Sequence, residues 1–330
     1  MTVALDLPAL ARQIREARGV AHKRDIDAVI TRLGLGSRHD AIPVGDDCAA
    51  IPDGDGHLLF AIEGFLDGFV AADPYFAGYC GIMVNLSDVA AMGGRPLAVV
   101  DALWSRDAAA TDPILAGLSD AAALYGVPVV GGHTNTRATS GALAVAVLGR
   151  AGGRLLTSFD AAPGDDLIAA IDLRGRFREP HPYWDASTGA PGERLRGDLS
   201  LLPGIAEDGL AAAAKDISMA GVVGTALMLL ECSQVGGVID LAAIPRPAPV
   251  PLARWLSAFP SFGFLLSVRP DRTPAVLARF AERGIASAPI GRLDASRVAR
   301  VRSAAGEEAV VWDFAAGPLI GCGRDAGPDA

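Results

Sequence analysis

The sequence predicts a mixed α/β protein built from two domains. Its 330 residues are about twice the ordinary length of one domain. Apolar residues make up 51% and charged residues 20%, enough apolar side chain for sizeable cores and too much for a disordered chain. Apolar runs of strand length alternate with helix-length segments along the chain, the pattern of sheets covered by helices. The expected domains are residues 1–155 and 156–330, divided before the turn Pro163-Gly164-Asp165-Asp166.

In the first half, residues 5–20 and 25–33 read as short amphipathic helices closed by Gly34 and Gly36. A loop-rich stretch follows, Gly45-Asp46-Asp47 and then Pro52-Asp53-Gly54-Asp55-Gly56. Residues 58–62 form a brief apolar strand. Residues 75–92 predict a helix ended by Gly93-Gly94 and Pro96. A strand at 97–103, a helix at 113–125, a buried strand at 127–130 and a strand at 142–148 complete this half.

The second half opens with a strand at 167–171. Residues 174–198 lack periodicity and are rich in Arg, Pro and Gly; so long a loop in a compact domain is usually functional or mobile. Helices are expected at 205–215, 222–232 and 273–283, with a Pro-rich connector (Pro245, Pro247, Pro249, Pro251) and a strand at 262–268 between the last two. Ala288-Pro289-Ile290-Gly291-Arg292 echoes Val147-Leu148-Gly149-Arg150, a weak sign of paired α/β units. The tail from Gly321 is expected to fray.

The formal charge is 29 − 38 = −9, so broad binding to a phosphate backbone is disfavoured and no nucleic-acid partner is expected. Cys48, Cys80, Cys232 and Cys322 form no CxxC pair, which fits neither a zinc site nor a disulfide framework and points to a reducing compartment. No segment reads as a signal peptide or a membrane span, so a cytoplasmic protein is expected.

Acidic groups cluster in the first half: Asp46 and Asp47 in a Gly-flanked turn, Glu63 at a strand end, and Asp67 four residues on. Asn85 and Asp88 stand at i and i+3 on a helix, beside the apolar stripe Ile82, Leu86 and Val89. Carboxylates and an amide oxygen, without Cys or His pairs, are the ligand set of a hard cation such as Mg²⁺. The alternative reading is a turn capped by Asp46 and Asp47, with Asp88 solvated. Gly131-Gly132-His133-Thr134-Asn135 follows an apolar run, where glycines let backbone N–H groups approach a phosphate and Thr134 adds a hydroxyl. An ordinary turn and a structural His133 are the plainer alternatives. Neither a P-loop nor a strand-linked GxGxxG is present, nor a GxSxG elbow or Cys/His nucleophile pair.

Four runs occur in order: Gly45-Asp46-Asp47-Cys48-Ala49; Val84-Asn85-Leu86-Ser87-Asp88-Val89-Ala90-Ala91-Met92-Gly93; Gly131-Gly132-His133-Thr134; and Lys215-Asp216-Ile217-Ser218. Together they resemble the PurM-like superfamily of AIR synthase, thiamine-monophosphate kinase, selenophosphate synthetase and a hydrogenase-maturation dehydratase. The Asn-Leu-Ser-Asp run is most similar to the kinase, and the matches span roughly residues 45–292. The resemblance implies an N-terminal domain, 1–155, whose sheet pairs with that of a second copy in a homodimer, and an α/β C-terminal domain. It implies ATP and several Mg²⁺ ions held by carboxylates. Asp47, Asp88 and Asp216 match metal-binding aspartates, and Glu63 stands where the kinases have Asp. Gly132 and Ser218 match nucleotide-contacting residues, with Gly131, Thr134 and Asn85 beside them. His133 and Asp216 are then the candidate catalytic residues, with His133 a polar contact or weak base.

The departures bear on the substrate. His133 replaces an Asp of the kinases, and their Asp-Ile-Ser-Asp-Gly becomes Asp216-Ile217-Ser218-Met219-Ala220. Their Gly-Gly-Glu-Asp-Tyr-Glu signature has no counterpart, and Val70 stands where they place a histidine. Lys23 has no Cys before it to complete a selenophosphate pair, and eight residues follow Cys322 where the dehydratase ends on Cys. The implied function is a Mg-dependent ATP-binding enzyme, a kinase-like transferase, that phosphorylates or activates a small-molecule acceptor through an altered acceptor site. An AIR-synthase-like cyclisation or dehydration, or a non-catalytic nucleotide-binding module, is the alternative. Arg174, Arg176, Arg178, His181, Arg194 and Arg196 make the long loop either a basic lid or a solvated surface; Arg176, Arg178 and Asp67 are candidate acceptor contacts.

Overall fold

The computed structural model describes residues 6–35 and 42–323. Three helices open the chain, α1 (Leu7–Glu16), α2 (Arg18–Lys23) and α3 (Asp25–Leu33). Then come β1 (Ala49–Asp53), β2 (Gly56–Phe65), α4 (Asp67–Ala72), α5 (Pro74–Ala91), β3 (Arg95–Trp104), α6 (Ala108–Tyr125), β4 (Val129–Asn135) and β5 (Ala142–Ala151). The second half holds β6 (Asp166–Ile171), β7 (Arg176–Phe177), β8 (Tyr183–Asp185), α7 (Gly192–Leu199), α8 (Leu201–Glu207), β9 (Ala213–Asp216) and α9 (Gly221–Cys232). It closes with β10 (Gly236–Asp240), α10 (Leu252–Trp255), β11 (Phe259–Pro260), β12 (Gly263–Val268), α11 (Thr273–Glu282), β13 (Ala286–Asp294), β14 (Val298–Arg302) and β15 (Glu308–Asp313).

The chain forms two compact units whose borders depart from the division at residue 155 in two places. The first unit gathers the residues up to Asp46, Leu156–Ala186 and Asp208 onward; the second holds Asp47–Leu155 and Ser187–Glu207. The physical reason is an amphipathic face at each displaced segment. Leu7, Leu10, Ala11 and Ile14 of α1 are buried in the same core as Val311 and Phe314. α7 and α8 pack on α6 and α5, and Arg196 of α7 donates to the Leu124 carbonyl at 2.6 Å.

The second unit carries a five-stranded sheet in the order β1-β2-β5-β3-β4. Only β3 and β4 run parallel, joined through α6, as a crossover requires. α5 starts at Asp73, whose Oδ1 accepts from Phe76 N–H at 3.2 Å, with Pro74 at the first helical position. It stops where Gly93 takes φ +74°. A Cβ on Gly78 would overlap the Ile114 carbonyl oxygen and one on Gly117 the Tyr75 carbonyl, so α5 and α6 touch backbone to backbone. α6 begins at Ala108, ahead of the expected 113, because Asp107 caps it through Ala110 N–H at 2.9 Å. β2 alternates as a half-covered strand should: Leu59 and Ala61 are buried, while Phe60 and Ile62 are 50% and 65% exposed.

The first unit carries a seven-stranded sheet, β15-β14-β10-β13-β6-β12-β9. β12 and β9 are buried at every position, and so is α9. A second, three-stranded sheet, β11-β8-β7, carries Trp184, whose ring meets that of Trp255 on α10 edge to face at 5.1 Å.

Several expectations are corrected here. Residues 127–130 were expected as a buried strand; β4 is instead a strand of exposed residues at the sheet edge. The helix expected over 205–215 is the short α8 followed by strand β9, because Ala213 and Ala214 fill the core beside β12. The long segment 174–198 is not an aperiodic loop: it holds β7, β8 and α7, and Arg174, Arg178 and Arg196 are engaged. Arg174 grips Asp172 from Nε at 2.7 Å and Nη2 at 3.1 Å, and Arg178 pairs with the buried Asp185 at 3.4 Å. Of the tail expected to fray, the described residues Gly321 and Cys322 are held. Glu231 accepts backbone N–H bonds from Leu319, Ile320 and Gly321 at 2.8, 2.7 and 3.2 Å, and Cys322 is buried. Gly36 and residues 324–330 lie outside the described residues.

Candidate metal and phosphate site

Within the second unit, Asp47 precedes β1 and Asp88 lies on the last turn of α5. Carboxylate oxygens of the two residues come within 4.8 Å of one another. That spacing suits two oxygens on one hard cation. Asp88 is buried, and Asn85, one turn back, is fully buried with its Nδ2 donating to the Gly81 carbonyl at 2.8 Å. The oxygen Oδ1 of Asn85 accepts no hydrogen bond. Carboxylate oxygen donors, in a group that holds no Cys or His ligand among the described residues, fit Mg²⁺ better than zinc or a softer metal.

Strand register extends this acidic face. Glu63 of β2 stands opposite Val145 of β5, Val145 opposite Asp101 of β3, and Asp101 opposite Gly132 of β4. Opposed residues project from the same side of a sheet. Val145 touches α5, because a Cβ on Gly81 would sit 2.7 Å from Val145 Cγ2. Glu63, Asp101 and Gly132 therefore belong to the helix-covered face.

Asp101 is the residue that sequence reasoning missed. Its Oδ1 lies over Gly132, where a Cβ would overlap it and would stand 2.7 Å from the Asp101 carbonyl oxygen. Its Oδ2 is shut off from solvent and accepts no hydrogen bond. Burial pushes this carboxyl above the usual range, against a smaller lowering by a backbone hydrogen bond. The signal was there to read: an aspartate in the middle of the apolar run 97–103.

The glycine pair divides its roles. Neither glycine takes a positive φ. Gly132 is glycine because Asp101 fills its side-chain space, whereas a Cβ on Gly131 would meet nothing within 4 Å. Thr134 pairs with Leu103 and shares the Gly132 face by alternation. His133 alternates to the other face, and its ring lies 5.7 Å from that of Trp104. The structure thus separates His133 from the acidic face.

The remaining predicted residues fall as follows. Asp46 is committed elsewhere: its carboxylate accepts from Ser158 N–H and Oγ–H, each at 2.6 Å, and lies 3.8 Å from Lys215 Nζ. That is an anchor for the turn. Asp216 ends β9 and is buried. The Ser218 N–H faces Thr225 Oγ1 at 3.2 Å, and its hydroxyl is buried with no hydrogen-bond partner. Asp67 is exposed in the first turn of α4, Arg176 is exposed on β7, and Arg178 is held by Asp185.

A sheet-and-helix unit with a carboxylate pair, linked to a second α/β unit, defines an α/β protein of PurM-like architecture. The chain belongs to the AIR synthase related protein family: residues 45–151 match the family's N-terminal domain and residues 193–303 its C-terminal domain. It is 45% identical over 324 residues to an uncharacterized protein of Synechocystis, covering 97% of this chain and all of that one. It is 26% identical to the thiamine-monophosphate kinase of Synechococcus elongatus, over 78% of this chain and 86% of the kinase. Among solved structures it resembles T. maritima PurL complexed with FGAR, at TM-score 0.74 and 19% identity, covering 97% of this chain and 54% of that one. It also resembles AaThiL complexed with AMPPCP and TMP, at TM-score 0.64 and 19% identity, covering 87% and 96%. The chain thus spans about half the length of the PurL structure. No helix among the described residues is long and apolar enough to cross a membrane.

Proposed function

We propose that this protein binds Mg·ATP and uses it to phosphorylate or activate a small-molecule acceptor. The observation that carries the reading is the Asp47 and Asp88 carboxylate pair, within 4.8 Å, set between the turn before β1 and the motif-bearing helix α5 of a chain related to ATP-using enzymes. Asp47 and Asp88 hold magnesium, with Glu63 on the same face. Asp216 serves as a further ligand by its place in the Lys-Asp-Ile-Ser run. Bound magnesium supplies charge neutralisation at the phosphates. Gly131 presents backbone at an open position, Thr134 adds its hydroxyl, and Ser218 offers an uncommitted one. With no covalent nucleophile in view, these residues align the phosphoryl group against the acceptor. His133 and Asp46 are left out of the reaction, since one lies on the opposite face and the other anchors a turn.

The deciding measurement is calorimetric binding of ATP with and without magnesium, followed by an ADP-release screen over phosphorylated vitamins, formylglycinamidine-type compounds and small amides. Magnesium-dependent binding with turnover on one acceptor supports the enzyme. Binding without turnover on any acceptor supports a nucleotide-binding module, a reading favoured by Met219 standing where the kinases have a carboxylate.

We further propose a homodimer. Ile62, Ala146 and Val100 align in one row across β2, β5 and β3, on the face that α5 leaves bare. Ile62 is 65% exposed and Phe60 50% exposed, which makes a continuous apolar surface for a second copy's sheet.

A further inference from the structure

We propose that Cys232 and Cys322 form a reversible redox couple, a disulfide made and broken inside the first unit that fastens the segment after β15 to the end of α9. The couple is independent of the Mg·ATP reading. The two cysteines lie far apart in the chain, and three contacts bring them together. First, Glu231, beside Cys232 at the end of α9, accepts the backbone N–H groups of Leu319, Ile320 and Gly321. Second, the backbones meet one residue further on: a Cβ on Gly323 would stand 2.4 Å from the Cys232 carbonyl oxygen. Third, the Cys232 thiol is in hydrogen-bonding contact with Cys322, and both residues are buried. Cys48 and Cys80 are buried in the second unit.

The hydrogen bond with Cys322, together with burial, pushes the Cys232 thiol well above its usual range; Asp46 adds to this and Lys215 opposes it. Cys232 therefore keeps its proton, and the first attack on an oxidant falls to Cys322. Gly321 and Gly323, at φ +75° and +69°, flank Cys322 in a turn outside helix and strand, the kind of segment that opens locally and admits a small oxidant. With hydrogen peroxide, the Cys322 sulfur attacks one oxygen, the O–O bond breaks, and the departing hydroxide takes the thiol proton as water. Cys322 becomes a sulfenic acid. The Cys232 sulfur then attacks the Cys322 sulfur, the S–O bond breaks, and the second hydroxide takes the Cys232 proton. Two thiols and one peroxide give one disulfide and two waters, and a dithiol reductant restores the thiols. A Cβ on Gly45 would overlap Cys322 Sγ, so the bond also fixes the sulfur on which the Gly45-Asp46 turn packs.

The test treats the full chain with hydrogen peroxide, alkylates the unfolded product and maps its peptides by mass spectrometry without reductant. The expected result is one peptide pair joined through Cys232 and Cys322, with Cys48 and Cys80 alkylated. Closing so long a loop should raise the melting temperature by about 3–6 °C, and dithiothreitol should reverse the rise. In Cys232→Ser, Cys322 should stop at the sulfenic acid, trapped by dimedone, with no rise in melting temperature. The parent map decides without the variant. Cys232 and Cys322 both alkylated after peroxide, or either one linked to Cys48, Cys80 or a second chain, overturns the couple. A Cys232–Cys322 bond that leaves the melting temperature unchanged overturns the fastening.

Discussion

Asp46 receives both the backbone N–H and the hydroxyl of Ser158, each at 2.6 Å, and the same carboxylate stands 3.8 Å from the buried Lys215 ammonium. Two adjacent aspartates therefore do different work, and substitution separates them. Ser158→Ala removes one hydrogen bond to a charged group and should cost about 1.5–3 kcal/mol. Asp46→Ala removes both of those hydrogen bonds and the carboxylate 3.8 Å from Lys215, and should cost more, about 3–5 kcal/mol. Urea denaturation measures both. A stable Asp46→Ala protein would refute the anchoring role.

Asp47→Asn and Asp88→Asn should behave in the opposite way. Each is expected to leave the urea midpoint nearly unchanged and to weaken Mg²⁺ binding at least about tenfold, since losing a direct ligand exceeds the loss of an outer-shell partner. Isothermal calorimetry with Mg²⁺ reads the difference.

Asp101 gives the metal-free protein a pH signature. Its carboxyl is raised in the folded state, chiefly by burial. Such a group favours the fold most at pH below its ordinary unfolded value, near ~3.9, and that contribution fades as pH rises through the folded value. In chelator, Asp101→Asn should therefore melt slightly higher than the parent at pH 7, by about 1–3 °C. The two should converge toward pH 4. A variant that melts lower at pH 7 would show that Asp101 has a stabilising partner.

The two glycines should part company on methylation of the backbone. Gly132→Ala drives a Cβ against the Asp101 carbonyl at 2.7 Å, and overpacking of this kind costs about 1–3 kcal/mol. Gly131→Ala meets no atom within 4 Å and its Cβ projects to the face opposite Asp101, so both its melting temperature and its nucleotide affinity should hold. Paired thermal melts and ATP titrations check the contrast.

The bare sheet face predicts assembly. Sedimentation should give twice the chain mass for the parent and a single chain for Ile62→Glu. The change costs little in a lone chain because Ile62 is 65% exposed. A dimeric Ile62→Glu protein would move the interface elsewhere.

Much of the second unit was legible because its segments carry clear periods: the long apolar helix bounded by Asp73 and Gly93, and strands whose residues alternate. The Asp47 and Asp88 pair was legible through its motif. Register was not. That Asp101 faces Gly132 depends on hydrogen bonding along β3 and β4, and no local pattern encodes which residue stands opposite which. β9 was hidden for a related reason. Ala213-Ala214-Lys215-Asp216 has no alternation because every position is covered, so the short strand read as the end of a helix. The basic segment 174–198 misled through composition, since Arg174 and Arg178 answer to Asp172 and Asp185 within the first unit and Arg196 to the Leu124 carbonyl within the second.

The Glu231 clamp sets an order of events during synthesis. Helix α1 leaves the ribosome early, yet its apolar face belongs to a core that includes Val311 and Phe314, and the donors for Glu231 arrive only with Leu319 to Gly321. The stretch Asp47–Leu155 has its whole sheet in hand long before then. Its strands can pair while the opening helix still waits, exposed, for residues not yet translated. A nascent chain stalled near residue 300 should therefore show a protease-resistant middle and a cleavable beginning.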